Sequence, residues 1–104
     1  MADLDESSDG STIVLAVGET RSLVLGERPT TGFLWHSGGS NAAVVAVAAT
    51  TFRPRSLKPG GGGERIFTIS ALSAGSSTVT WEHRRGSGAD AVVDRHIALT
   101  FEVS

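Results

Sequence analysis

Ile97, Leu99, Phe101 and Val103 alternate without a break with His96, Ala98, Thr100 and Glu102. A side-chain period of two lays the four apolar residues along one face of a β-strand, which a helical period of 3.6 cannot do. The same signature recurs upstream in shorter pieces separated by glycine. Ile13, Leu15 and Val17 alternate with Thr12, Val14 and Ala16, and Gly18-Glu19 turns the chain into Ser22-Leu23-Val24-Leu25. Phe33-Leu34-Trp35 reads as a short aromatic strand. Ala43 to Thr51 contains alanines, but Val44, Val45, Val47, the threonines and the following Pro54 favour a strand over a helix. Ile66 to Ile69 and Thr78 to Trp81 follow, separated by Ala74-Gly75-Ser76. About seven to eight short strands, with turn signals roughly every 8–12 residues, predict an all-β sandwich. Trp35 and Trp81 fall on expected strands and are assigned to the core or its edge.

The chain has 104 residues, enough for one domain. It lacks cysteine, which removes disulfides, thiol chemistry and cysteine zinc sites from consideration; apolar contact alone must hold the sandwich. The net charge of −2 gives no reason to invoke nucleic acid or an anionic membrane. No apolar run approaches the roughly 20 residues that cross a bilayer. Residues 1–11 are acidic and rich in Ser and Gly; they are expected to form a flexible tail with Asp5, Glu6 and Asp9 solvated, ahead of a single domain over 12–104. That start has no apolar core and does not read as a signal peptide, which leaves the compartment open.

The informative residues lie between strands. In the first connection, Gly26-Glu27-Arg28-Pro29-Thr30-Thr31-Gly32-Phe33, Pro29 fixes its own φ and drives Arg28 towards an extended conformation. Gly32 permits a φ that other residues resist, and Thr30 and Thr31 are stiff at χ1. Either this is an ordinary turn or it is a stiff, narrow loop suited to a cleft, since stiffness lowers the entropic cost of binding. The second connection, Lys58-Pro59-Gly60-Gly61-Gly62-Gly63, exposes backbone groups. It reads as a flexible connector or as a surface for pairing with an extended partner; no Gly-Lys-Ser/Thr follows to make a phosphate cradle. The third, Glu82-His83-Arg84-Arg85-Gly86-Ser87-Gly88, is either a solvated hairpin loop or a basic contact for acidic groups on a partner. The first and third are expected at one end of the sandwich, and the glycine segment joins them if its flanking strands carry it there.

These segments resemble, in order and spacing, the chagasin-type inhibitors of cysteine peptidases. The family signature Asn-Pro-Thr-Thr-Gly-Tyr/Phe is matched by Arg28-Pro29-Thr30-Thr31-Gly32-Phe33, with Trp35 beyond, and Gly-x-Gly-Gly by Gly60-Gly61-Gly62-Gly63. Val14 to Glu19 is similar to the family's first hairpin. Of the third signature, Arg-Pro-Trp/Phe, only the arginines survive in His83-Arg84-Arg85. The resemblance spans about residues 12 to 103. It implies an immunoglobulin-like β-sandwich that is a monomer when free, needs no cofactor and inhibits papain-like cysteine peptidases reversibly and competitively. The residues it implies at the peptidase are Arg28, Pro29, Thr30, Thr31, Gly32, Phe33, Gly60, Gly61, Gly62, Gly63, His83, Arg84 and Arg85. Arg28 replaces the family's asparagine, so a hydrogen bond bracing the loop from that position is lost or rebuilt.

Two other functions compete. An enzyme would need a site, but there is no Gly-x-Ser-x-Gly elbow, and His36, His83 and His96 are scattered; each is expected at the surface or an edge. An adhesive or carbohydrate-binding sandwich would not need the sequence Pro29-Thr30-Thr31-Gly32, and sugar sites usually present exposed aromatic rings.

Overall fold

Burial alternates along the strands as the period of two requires, and it sorts them into two facing sheets. The computed structural model describes residues 3–27, 31–39, 41–54, 62–86 and 88–104, with residues 49–51 described by their backbone only. The strands are β1 (Thr12–Leu15), β2 (Thr20–Glu27), β3 (Leu34–Gly38), β4 (Val45–Pro54), β5 (Gly63–Ala71), β6 (Gly75–Arg85) and β7 (Val92–Val103). One sheet has the order β1-β7-β6-β3 and the other β2-β5-β4. All neighbours are antiparallel except β1 and β7, which run parallel with Thr12 opposite Thr100 and Leu15 opposite Val103. No helix among the described residues is long and apolar enough to cross a membrane.

The inward faces make one core. Leu23 and Leu25 of β2 and Phe67 and Ile69 of β5 meet Val79 and Trp81 of β6 and Ile97, Leu99 and Phe101 of β7, all buried. Trp81 contributes most; its ring meets Phe67 of the opposite sheet edge-on, with centroids 6.1 Å apart. Full burial of such side chains stabilises the fold by about 1.5–3 kcal/mol each, and in a chain without cysteine this contact joins the sheets. The expected alternation of β7 is present: Ile97, Leu99, Phe101 and Val103 are all buried. In the first strand Leu15 is buried, whereas Val17 lies beyond the strand end and is exposed.

Residues 3–11 differ from the expected tail. Leu4 is buried in the core, and its backbone bridges β2: its N–H donates to Ser22 O at 2.9 Å and its carbonyl accepts from Val24 N at 2.8 Å. A 3-10 turn over Glu6–Ser8, capped by the Asp5 side chain, then carries the chain to the other sheet, where Gly10 N donates to Ala98 O. The three carboxylates expected in solvent each have a partner: Asp5 the turn, Glu6 the Arg95 guanidinium, and Asp9 the Ala98 N–H. One apolar residue and short capping side chains suffice to lay a polar segment along the side of the sandwich.

Candidate functional site

Strand direction brings three connections to one end. In the β2-β5-β4 sheet, Gly63 lies opposite both Glu27 and Pro54, so the first and glycine connections leave the same edge. In the other sheet Leu34 lies opposite Arg84, and Arg85 opposite Val92, which places the β6–β7 hairpin there too. The glycine segment, whose position the sequence left conditional, therefore begins and ends beside the other two.

The inward register changes character at this end. Glu27 continues the line of Leu23 and Leu25, Arg65 that of Ile69 and Phe67, His83 that of Val79 and Trp81, and Arg95 that of Leu99 and Ile97. Four polar side chains thus replace apolar ones beneath the connections. Glu27 is 3% exposed, and Arg65 donates to its Oε1 from both Nε (3.1 Å) and a terminal nitrogen (2.8 Å). Its Oε2 accepts from the Trp35 backbone N–H at 2.9 Å. Arg95 lies over the Trp35 ring at 5.0 Å and donates to Gly26 O, as does the Trp35 indole, both at 2.8 Å.

His83 links the first and third connections. Its ring stacks on Phe33, with centroids 5.3 Å apart and planes 19° apart, and lies 5.0 Å from the Trp35 ring. Its Nδ1 is 2.6 Å from Asp94 Oδ1, while Nε2 has no partner among the described residues. At 5% exposure it is not the surface or edge histidine the sequence suggests; it supports Phe33 from below. Its place on the inward face of β6, in line with Val79 and Trp81, is the reason.

The sequence-assigned residues divide as follows. Arg28, Pro29, Thr30, Gly60 and Gly61 lie outside the described residues. Thr31 is exposed, and its Oγ1 accepts from Phe33 N at 3.3 Å. Gly32 has φ +80°, and a Cβ there would come within 3.1 Å of Arg85 Cδ. Phe33 is half-buried between His83 and Arg85, whose guanidinium carbon is 4.8 Å from the ring centroid. Gly62 is half-buried; Gly63 is buried, and a Cβ on it would fall 2.5 Å from Arg53 O, so its glycine serves strand packing. His83, Arg84 and Arg85 belong to β6 rather than to a loop, because pairing with both β7 and β3 prolongs the strand; the turn itself is confined to 86–91. Arg84 is half-buried and donates to Glu82 at 3.3 Å, whereas Arg85 is exposed.

This end has the form of a binding surface. Thr31, Phe33, Gly62, His83, Asp94 and Arg95 line an open pocket between the sheets. Among the described residues no three His, Cys, Asp or Glu side chains gather as a metal centre would need. Sequence reasoning missed Glu27, Arg65, Asp94 and Arg95. The available signal was their register, since three of the four are charged residues two positions beyond an inward-facing apolar residue.

Comparison with known proteins gives concordant results. Residues 14–101 match the family described as chagasin family peptidase inhibitor I42. The chain is 33% identical to chagasin of Trypanosoma cruzi over 85 residues, 77% of each protein. Its fold is similar to that of the cysteine protease inhibitor EhICP2 from Entamoeba histolytica, with a TM-score of 0.83 at 17% identity over 97% of this chain and 93% of that one. It is also similar to PbICP-C, solved in complex with falcipain-2, with a TM-score of 0.63 at 15% identity over 100% of this chain and 96% of that one.

Proposed function

The chain belongs to the chagasin family of peptidase inhibitors, and from that premise we propose that its three-connection end enters the active-site cleft of papain-like cysteine peptidases and blocks it reversibly and competitively. The observation that carries this reading is the convergence of the first, glycine and β6–β7 connections at one end, where Phe33 is packed between His83 and Arg85. A surface fixed in advance gives up little conformational entropy on binding. The first connection is the wedge: Thr30 and Thr31 are small enough for a narrow cleft, and Gly32 supplies the left-handed turn behind them. The glycine segment and the end of β6, with Arg84 and Arg85, flank it. Truncation at the centre of such an interface typically costs about 2 kcal/mol or more, and we place that centre at Thr30 and Thr31.

Titrating papain with the protein, using a fluorogenic peptide substrate, tests the reading. Inhibition should be relieved by raising the substrate concentration and reversed by dilution. Full peptidase activity in the presence of a large molar excess of the folded protein would overturn it.

A further inference from the structure

We propose that Glu27 is the positioning residue of the first connection, holding its two ends at a fixed separation so that the wedge reaches a peptidase in an inhibitory rather than a cleavable form. The inference rests on the inhibitor reading above. The other two connections are hairpins between neighbouring strands, and ladder hydrogen bonds run up to their bases. The first is different: it leaves β2 in one sheet and enters β3 in the other, so no ladder ties its ends. In packed sheets those ends would be about 10 Å apart and free to shear.

Glu27 replaces the missing ladder. It is the last residue of β2, and its Oε2 accepts from the N–H of Trp35, the second residue of β3, at 2.9 Å. Because β3 is an edge strand whose single neighbour is β6, the Trp35 N–H would otherwise lack a partner within the sheet. The other oxygen is held by both donors of Arg65 on β5, which fixes the carboxylate against the sheet it belongs to. The side chain of Glu27 has no exposed area, so the pairing is shielded from solvent. Beside it, Gly26 O accepts from the Trp35 indole at 2.8 Å, a second tie across the same connection.

A buried charge left without its partner is strongly destabilising, so the deciding variant removes both charges together. Glu27→Ala/Arg65→Met takes away the tie while leaving no lone ion; Glu27→Gln keeps an acceptor for Trp35 N and loses the pairing with Arg65. Three quantities are read: the inhibition constant against papain, cleavage between residues 28 and 34 by mass spectrometry, and exchange of the Trp35 amide by NMR. The double variant should keep its strand signature by circular dichroism, inhibit about tenfold or more weakly, and be nicked in the first connection, with Glu27→Gln between it and wild type. Its Trp35 amide should exchange much faster, a readout independent of any peptidase. A folded double variant that inhibits within about twofold of wild type, remains uncut and keeps its Trp35 amide protected would overturn the assignment. Failure of the wild type itself to inhibit would instead remove the inhibitor reading, and the amide exchange alone would then decide whether Glu27 clasps the connection.

Discussion

The guanidinium of Arg85 lies 4.8 Å from the ring centroid of Phe33, and its aliphatic carbons occupy the space beside Gly32 that a Cβ would need. One side chain from the end of β6 thereby touches two successive residues of the first connection. Among the described residues Arg53, Arg65, Arg84 and Arg95 each have a carboxylate partner, while none is paired with Arg85. Its charge is presented to whatever docks there.

A peptidase with acidic residues beside its cleft should therefore be inhibited better than one without, and the advantage should shrink as salt rises. Against the peptidase lacking those acids, Arg85→Trp should strengthen inhibition by about 1 kcal/mol, because an aromatic ring can stack on Phe33 without the desolvation cost of a charge. Inhibition constants for both proteins, against two peptidases of opposite surface charge at low and high salt, check this. Identical constants throughout would mean that the end of β6 makes no contact with the enzyme.

Gly32→Ala should weaken inhibition more than it weakens the fold. At φ +80° a side chain costs about 1–2 kcal/mol in backbone energy, and the new Cβ would sit 3.1 Å from Arg85 Cδ. Gly32→Val adds β-branching and should be worse. Inhibition constants measured alongside melting temperatures separate the two effects; full-strength inhibition by either variant would show that this turn is not required.

Much of this organisation can be read from residues alone. Ile97 to Val103 revealed the last strand because one face is core and the other is solvent, the condition under which a period of two is visible. Pro29-Thr30-Thr31-Gly32 singled out the first connection because its backbone constraints are written in residue type, and Gly32 does adopt a positive φ of +80°. Two things escaped. Leu4 is a lone apolar residue in an acidic stretch, with no neighbours to make a period. Glu27, Arg65 and Arg95 are charged, and charge reads as surface unless its partner is known; Glu27 and Arg65 are 38 positions apart and are brought together by the β2–β5 ladder. His83 was assigned by composition when its register with Trp81 was the better guide.

Long incubation with excess papain should leave the inhibitor intact. A first connection tied at its base by Glu27 and turned at Gly32 should hold its carbonyl groups away from the geometry that attack by a peptidase cysteine requires. Mass spectrometry after incubation checks this; a cut between Pro29 and Phe33 accompanied by loss of inhibition would refute it.

Leu4→Ala should destabilise the protein by about 2–3 kcal/mol, as expected for a buried leucine whose cavity only partly collapses. The residue is 5% exposed and packs in the core although it lies in a polar segment. The midpoint of urea unfolding checks this, and an unchanged midpoint would mean that the Leu4 side chain contributes nothing to the fold.

β7 starts beside the three connections at Val92 and runs for 12 residues to Val103. At the usual rise per residue this carries the chain roughly 35 Å away, most of the molecule's 43 Å length. A tether attached at Ser104 would leave from the pole remote from the three connections. An anchor to a bead, a sensor chip or a carrier placed at Ser104 should therefore leave the three-connection end turned outward. An attachment placed within the 86–91 turn would bury that face against the support.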